Sequence, residues 1–278
     1  MSAHATSQRI AVGALAAATL LSLAIVAFIL FFVLEKGLPQ LSWEFLFSGP
    51  KDMGKAGGIF PAIIGTLVLS LLAIGISLPL GVLTAVYLSE YTKEGRLTKA
   101  IRFGTDCLAG IPSIIFGLFG YVFFVTTLRM GWSLISGALT LAMMVLPTLI
   151  RTSEEAIRSV PQPWREVSLS LGATRWETVR KVVLPNALPG IVTGVMLSFG
   201  RSIGETAAVI YTAGSSFRMP RSAFDSVRTL AVHFYLLARE GISTEKAYGT
   251  AAVLVLAVLS VNLLTYALMN RFIRRRAR

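Results

Sequence analysis

Two ionisable side chains, Arg201 and Glu205, lie four residues apart inside the apolar run SFGRSIGETAAVI at residues 198–210. A guanidinium is a planar group that donates two parallel hydrogen bonds to one oxyanion. A carboxylate one helical turn away would position the guanidinium and limit how tightly an anion is held. The pair is therefore a candidate site on a path that carries an anion.

A helix through this run would carry both charges on one narrow face. At about 100° per residue, Arg201 and Glu205 fall within about 40° of each other. Small or polar residues share that face, namely Gly190, Thr193, Gly194, Ser198, Gly200 and Gly204. Bulky residues occupy the opposite face, namely Val192, Val195, Met196, Phe199, Ile203 and Ile210. Because glycines permit close helix approach, two interpretations stay open: a packed seam with an internal ion pair, or the lining of a transport path.

The elements that position this pair belong to a membrane. Of the 278 residues, 54% are hydrophobic and only 14% are charged, whereas soluble domains average about 25% charged residues. Six apolar runs are long enough to cross a bilayer as helices, which takes roughly 17–25 residues. They cover residues 10–34, 62–88, 107–128, 133–150, 187–210 and 249–270. The predicted fold is an all-α membrane protein with six transmembrane helices, the first of which is too long for a signal-peptide core.

The positive charges indicate the orientation of these helices. The net charge is +12, and 16 Lys and Arg residues lie on the side of the N-terminus against 9 on the other side. Because cytoplasmic segments are enriched in Lys and Arg, we expect both termini in the cytoplasm. The tail at residues 271–278, RFIRRRAR, predicts a contact with anionic lipid. No basic module rich in aromatic residues accompanies it, so nucleic-acid binding is not expected.

Other chemistry has little support in the sequence. The single cysteine, Cys107, cannot form an internal disulfide and is expected to pack as a small apolar residue at the start of the third span. The histidines, His4 and His233, have no partner at metal-binding spacing, so no metal site is predicted. The run GPKDMGKA at residues 49–56 lacks the final Ser or Thr of a phosphate-binding loop, so this chain is not expected to hydrolyse ATP. The apolar run at residues 229–238 is too short to span and predicts an interfacial helix.

The segment at residues 151–186 has the pattern of two short helices joined by a turn. Pro163 suits the first turn of a helix, and Gly172 suits its C-cap. Thr174–Glu177 is a capping box that starts a second helix, which Pro185 closes. The first helix presents three apolar side chains at helical spacing, namely Trp164, Val167 and Leu171. Two interpretations remain: an amphipathic loop on the membrane, or a docking element that fits a groove of a cytoplasmic partner.

The spacing within this segment resembles the EAA signature of ABC-importer permeases. The stretch EVSLSLGATRWETVRKVVLP keeps the signature's glutamate, glycine, leucine and proline at Glu166, Gly172, Leu184 and Pro185. Two alanines of the family pattern are replaced here by valine and serine, and its isoleucine by valine. In that family the segment is a coupling helix that fits a cleft of the ATPase subunit. The resemblance implies that contact with an ATPase involves Glu166, Gly172, Trp164, Leu171, Leu184 and Pro185.

The resemblance extends over most of the chain. Residues 57–91, 101–121 and 201–214 look like the permease subunits of phosphate-specific ABC importers, and the run GETAAVIYTAG looks closer to their PstA branch than to their PstC branch. The implied fold is that of type I ABC importer permeases. The implied organisation is a first helix and external loop at 1–61, a five-helix core at 62–270 and a basic tail at 271–278. Residues 1–56 match the family only loosely.

The resemblance also implies partners and a location. The expected partners are a PstC-like permease, two PstB-like ATPase subunits and a PstS-like external phosphate-binding protein. The expected location is the inner membrane of a bacterium. ATP and Mg²⁺ would be bound by the ATPase subunits, so no cofactor is expected in this chain, which would not itself be an enzyme.

Three other interpretations are compatible with part of the pattern. A permease for sulfate or molybdate would share the same features. A membrane enzyme would use Glu205 as a general acid or base, but the predicted spans hold no second carboxylate and no nucleophile–base pair. A carrier that works alone would not need the docking signature. Arg151, at the inner end of the fourth span, is a second candidate on the path or an ordinary positive flank of that span.

Overall fold

The computed structural model describes residues 2–276. Within this range, five helices are long and apolar enough to cross a membrane, and one bent pair of helices would make a sixth span. The helices are α1 (Ser2–Gly37), α2 (Trp43–Phe47), α3 (Phe60–Val86), α4 (Arg96–Ala109), α5 (Ser113–Gly120), α6 (Leu134–Arg158), α7 (Gln162–Ser170), α8 (Arg175–Thr178), α9 (Leu184–Gly204), α10 (Ala207–Thr212), α11 (Leu230–Arg239) and α12 (Thr244–Arg276). The all-α prediction is confirmed, apart from a two-residue hairpin of β1 (Pro50–Lys51) and β2 (Ala56–Gly57).

Helices α3, α6 and α9 form the centre of the bundle. Their apolar side chains meet in one buried cluster that includes Leu69, Leu141, Val145 and Phe199. Helix α9 approaches α6 closely, because a Cβ atom added at Gly190 would collide with Ala156 and one at Gly194 would collide with Thr152. The two glycines therefore serve as the predicted seam.

Helix α1 stands at the edge of the bundle. Its apolar side chains from Ile10 to Phe31 are largely exposed, as expected for a helix that faces lipid. Near its end it touches α12, where a Cβ atom at Gly37 would collide with the backbone of Tyr248 and with Ala252. The first predicted span is thus a peripheral helix whose end packs against α12.

The third predicted span, at residues 107–128, is not one straight helix. Helices α4 and α5 meet at an angle of 98°, with the break between Ala109 and Ser113. Gly110 and Pro112 explain the break, since proline lacks an N–H donor and disfavours helical geometry in the residue before it. Cys107 therefore belongs to α4, where it is exposed, and the prediction that it packs at the start of a span is wrong.

The other predicted boundaries shift in informative ways. Helix α6 continues two turns past residue 150 to Arg158, so the segment at 151–186 begins inside that helix. At its far end, α8 leads through a π-helical turn at Val179–Val183 directly into α9. Helix α12 continues into the basic tail as far as Arg276, and residues 277–278 of the tail lie outside the described residues.

The short apolar run at residues 229–238 does form a helix, α11. One face of it is buried in the protein rather than lying on a membrane surface, with Leu230, Val232 and His233 almost fully covered. His233 was expected at an interface and is only 2% exposed. The segment that the sequence marks as interfacial is therefore part of the core that packs against α12.

Candidate functional site

Arg201 lies near the middle of the bundle along its long axis. Gly190 faces Ala156 and Gly194 faces Thr152. Residue numbers therefore rise along α9 where they fall along α6, so the two helices run antiparallel, and four residues along α9 correspond to four residues along α6. The same register places Arg201 level with Val145. At 1.5 Å per residue, that level is about 17 Å from the start of α6 and about 20 Å from its end. The guanidinium is therefore carried at mid-depth of a membrane-crossing helix.

Glu205 does not lie one turn beyond Arg201 on the same helix. Helix α9 ends at Gly204, and Glu205 adopts an extended backbone with ψ of 129°. Its Oε1 accepts the backbone N–H of Ala208 at 3.2 Å, so the carboxylate caps the short helix α10. The helical spacing predicted for the pair is wrong, because a glycine at the helix end and a capping carboxylate after it stop the helix between them.

The side chain of Arg201 is exposed, and among residues 2–276 it forms no hydrogen bond or ion pair. It shares an exposed stripe of α9 with Thr193, Leu197 and Gly204. Cβ atoms added at Gly200 and Gly204 would meet open space, so these glycines are not part of the seam. A charge carried by a membrane-crossing helix is costly within the bilayer unless it faces another protein chain or an aqueous path. The stripe around Arg201 therefore faces one of these two.

Arg151 lies about two turns nearer the end of α6 and is held by carboxylates. Its guanidinium contacts Asp106 of α4 at 3.1 Å and Glu155 of α6 at 3.4 Å. Neighbouring pairs join the same two helices and the segment before α4: Arg102–Glu154, Arg102–Glu94, Arg158–Glu154 and Arg158–Glu94. The Arg102 guanidinium lowers the pKa of the exposed Glu94 carboxyl. Arg151 thus belongs to an ion-pair network that ties α4 to α6.

The segment that follows α6 has the predicted helix–turn–helix form. Helix α7 ends in a turn at Gly172, which has φ of +85°. Thr174 and Glu177 form the predicted capping box at the start of α8. Helix α7 and the turn after it expose apolar side chains, including Trp164 on the helix and Leu171 in the turn, the latter 84% exposed. This exposed apolar surface is suited to a partner protein.

The other residues that were predicted to contact an ATPase lie either on this exposed surface or where the segment joins the bundle. Glu166 is exposed on α7 beside Trp164. Leu184 is half-buried and packs against the cluster that joins the ends of α3 and α6 with the start of α9. Pro185 follows it in the first turn of α9 and is also half-buried. The EAA pattern therefore covers the exposed apolar surface of α7 and the point where the segment enters the bundle.

Gly172 allows a matched test of the turn. A Cβ atom there would meet open space, so the cost of substitution comes from the left-handed backbone, at roughly 1–2 kcal/mol for most residues. We expect Gly172→Asn, which tolerates this conformation, to keep partner ATPase activity near the wild-type level. Gly172→Val should shift the end of α7 and lower that activity several-fold. Equal activity of the two variants in reconstituted complexes would contradict a role for the left-handed turn.

The sequence analysis missed a buried ion pair at the root of α7. Arg165 and Glu90 approach to 2.8 Å, with side chains only 11% and 13% exposed. The same guanidinium donates to the backbone carbonyls of Ile157 and Val160. The two charged residues are 75 positions apart, so no local pattern links them. The only available signal was that each charge borders an apolar segment.

A second buried cation lies at the opposite end of the bundle. Arg228 is 8% exposed, donates from Nε to the carbonyl of Ser215 at 2.9 Å, and stacks 3.7 Å above the ring of Phe217. Burial lowers the pKa of Arg228 to about 10, so it stays protonated at neutral pH. Burial, with the nearby Arg228 charge, lowers the pKa of His233 to about 4. The pair fastens the loop between α10 and α11 to the bundle.

The bundle combines membrane-crossing helices, a cation that is unpaired among residues 2–276 and an exposed apolar helix at one end, which is the arrangement expected of a transport subunit that works with a partner. Residues 77–278 match the family model of the binding-protein-dependent transport system inner membrane component. The chain belongs to this family. It is therefore the membrane permease of an ABC importer, and it works with an ATPase and a binding protein.

Individual relatives agree with this assignment. The chain is 36% identical over 248 residues to a probable ABC transporter permease of Bacillus subtilis, YqgI, with 84% of each chain covered. It is 38% identical to the phosphate transport system permease protein PstA 1 of Mycobacterium tuberculosis, covering 80% of this chain and 73% of that protein. It is also 34% identical to the PstA protein of Pasteurella multocida, with 84% of each covered.

Solved structures confirm the predicted permease fold. A bacterial ABC transporter that imports the acidic polysaccharide alginate superposes with a TM-score of 0.64, covering 91% of this chain and 95% of that one at 16% identity. The inward-facing MetNI methionine transporter superposes with a TM-score of 0.61, covering 77% and 94% at 23% identity. The chain has the type I ABC importer permease fold.

Proposed function

We propose that this chain is the PstA-like permease subunit of a phosphate importer and forms half of its translocation path. The observation that carries the proposal is Arg201, an exposed guanidinium at mid-depth without a carboxylate partner among the described residues. Its two parallel N–H groups match the oxygens of a tetrahedral oxyanion. The relatives named as phosphate permeases support phosphate as that anion.

Arg201 and Glu205 have different tasks in this proposal. Arg201 binds the anion through its fork, while Glu205 holds the break between α9 and α10 by capping the latter. The carboxylate lies on the same path, and its negative charge limits how tightly the anion is held near Arg201, so that phosphate leaves again. Arg151 marks the inner end of the path, where Asp106 and Glu155 limit its attraction for the anion.

Transport follows from alternating access. A PstC-like permease provides the other half of the path, and the stripe around Arg201 faces it. Two PstB-like subunits bind ATP and Mg²⁺ beneath the membrane, and one of them docks on α7. A PstS-like protein delivers phosphate to the outer side. Closure of the ATPase pair displaces α7 and the ends of α6 and α9, which opens the path around Arg201 to one side at a time.

The proposed anion is tested on the assembled complex in liposomes. We expect ATPase activity and uptake to rise with binding protein loaded with phosphate and not with sulfate or molybdate. Stimulation by sulfate or molybdate alone would assign the chain to another oxyanion. ATPase activity is measured as phosphate released from ATP, after subtraction of the phosphate that was added as transport substrate. Uptake is measured with the radiolabelled anion.

The orientation is tested by cysteine labelling. In this proposal the chain lies in the inner membrane with both termini in the cytoplasm. Cys107 is exposed and must first be changed by Cys107→Ala. An impermeant maleimide added to intact cells should label Lys55→Cys in the loop before α3 and leave Ser159→Cys unlabelled until the cells are opened. Both positions are exposed, so reversed labelling would contradict the orientation and place α7 out of reach of an ATPase.

A further inference from the structure

Helix α7 is fastened to the bundle by very few contacts. Of its nine residues, eight are exposed or half-buried, and Arg165 is the one that is buried. A hydrogen bond of 2.9 Å between the hydroxyls of Ser168 and Thr178 joins α7 to α8. Beyond α8 and the turn at Val179–Val183 that leads into α9, α7 reaches the ends of α3 and α6 through the side chain of Arg165.

Arg165 contacts two membrane-crossing helices at once. Its Nε and Nη2 groups donate to the carboxylate of Glu90, which lies in the π-helical turn at Tyr87–Tyr91 that continues α3. Its Nη groups also donate to the carbonyls of Ile157, in the last turn of α6, and Val160, just beyond it. A guanidinium offers five donors in a fixed plane, so these bonds set the position of α7 in more than one direction.

An open cleft lies beside this contact. It has a volume of about 600 Å³ and separates the end of α3 from α7 and α8, with Lys93, Gln162 and Leu169 among the residues that line it. Because the cleft leaves this side of α7 unpacked, a push on α7 is carried across it by hydrogen bonds and not by apolar packing. Those hydrogen bonds converge on Arg165.

We infer that Arg165 and Glu90 are a positioning pair that passes the displacement of α7 to the ends of α3 and α6. The inference rests on the proposed function in one respect, namely that an ATPase docks on α7. Helices α3 and α6 pack with α9 in the central core, and α6 touches α9 at Gly190 and Gly194. A displacement received at Ile157 thus reaches the helix that carries Arg201.

The main test removes both charges with the double variant Glu90→Leu/Arg165→Met. Replacing a buried ion pair by apolar residues of similar volume is commonly tolerated, so we expect normal assembly with the ATPase. The number of phosphate ions transported per ATP hydrolysed should fall about tenfold, because the ATPase turns over without moving the bundle. If the pair is merely structural, its removal should lower phosphate transport and ATP hydrolysis together and leave the number of ions transported per ATP unchanged. An unchanged ratio would overturn the inference.

A neighbouring exposed pair supplies the matched control. Glu94 is four residues from Glu90 and forms ion pairs with Arg102 and Arg158 at the surface. Glu94→Gln should leave the transport ratio at the wild-type value, and a tenfold fall there would also overturn the inference. In the single variant Arg165→Lys, the charge stays but the planar fork is lost, so a ratio between those of wild type and the double variant is expected.

A distance measurement tests the pair without any transport. Spin labels at Ser170→Cys on α7 and Lys93→Cys beyond α3, in the Cys107→Ala background, should give one narrow distance distribution in the complex. The double variant should broaden it, and equal widths would overturn the inference. If wild-type complexes carried no phosphate, the proposed substrate would fail, yet this comparison would still decide the role of the pair.

Discussion

Arg201→Met should lower phosphate uptake about a hundredfold or more while the protein assembles in normal amounts. The guanidinium is exposed and unpaired among the described residues, so its removal leaves no buried carboxylate without a partner. Two hydrogen bonds to an anion are lost, each worth about 1.5–3 kcal/mol when one group is charged. Since 1.4 kcal/mol corresponds to a tenfold change, the loss of both hydrogen bonds corresponds to a fall in phosphate uptake of about a hundredfold or more. Uptake of radiolabelled phosphate and membrane abundance, measured on the same strains, give the result.

Three further variants separate charge, shape and position. Arg201→Lys keeps the charge without the fork, so uptake should lie between wild type and Arg201→Met. Glu205→Gln keeps an oxygen that can accept the N–H of Ala208, so assembly should persist and uptake should fall less than in Arg201→Met. Arg96→Met removes an exposed arginine from the start of α4 and should have no effect. Normal uptake by Arg201→Met would refute the role of this residue, and poor assembly would show that it braces the bundle.

Trp164→Ala should weaken the binding of the ATPase about thirtyfold and lower transport in proportion. Trp164 is a half-exposed aromatic side chain on a helix whose apolar residues Trp164, Val167 and Leu169 are 44–60% exposed. Buried aromatic anchors at interfaces contribute about 2 kcal/mol or more, and 1.4 kcal/mol corresponds to a factor of ten. The dissociation constant of the ATPase for permease in detergent or nanodiscs is the measurement.

The matched control for this prediction is Trp43→Ala. Trp43 is 79% exposed and lies in α2, in the loop between α1 and α3, so the same chemical change falls at the other end of the bundle. It should leave ATPase binding unchanged. Leu171→Asp, which puts a charge at the most exposed apolar position of the turn, should release the ATPase as strongly as Trp164→Ala. Equal binding by the Trp164 and Trp43 variants would argue against α7 as the docking helix.

These two predictions concern opposite ends of one series of contacts, which runs from the proposed docking helix α7 to the proposed anion site on α9. In the proposed mechanism α7 receives the partner. Arg165 ties α7 to the ends of α3 and α6, and α6 touches α9 through Gly190 and Gly194. Arg201 lies on α9 less than two helical turns beyond Gly194. The chain thus contains a continuous set of contacts between the proposed docking helix and the proposed anion site.

Local sequence was enough to predict several of these elements. The membrane-crossing helices follow from the length of apolar runs, because each needs only its own residues to satisfy its backbone in lipid. The turn at Gly172 and the capping box at Thr174 are also local, since a left-handed residue and a side-chain cap act within four positions. The break at Pro112 had a local signal as well, and it was overlooked because the apolar run continues through it.

Contacts between distant residues were decided by the tertiary structure alone. Four glycines of α9 look alike in sequence, yet Gly190 and Gly194 meet α6 whereas Gly200 and Gly204 meet open space. The difference arises because a glycine allows close approach but does not choose the neighbour, which depends on how the helices cross.

Two sets of oppositely charged residues show the same limit. Arg201 and Glu205 are four residues apart and do not pair, because α9 ends between them and the carboxylate caps α10 instead. Arg165 and Glu90 are 75 residues apart and do pair, because the ends of α3 and α6 bring a carboxylate and two carbonyls to one point. Sequence alone therefore predicted the apolar spans and the helix–turn–helix form of the segment after α6, whereas the folded bundle decided which charge is unpaired among residues 2–276 and which is held.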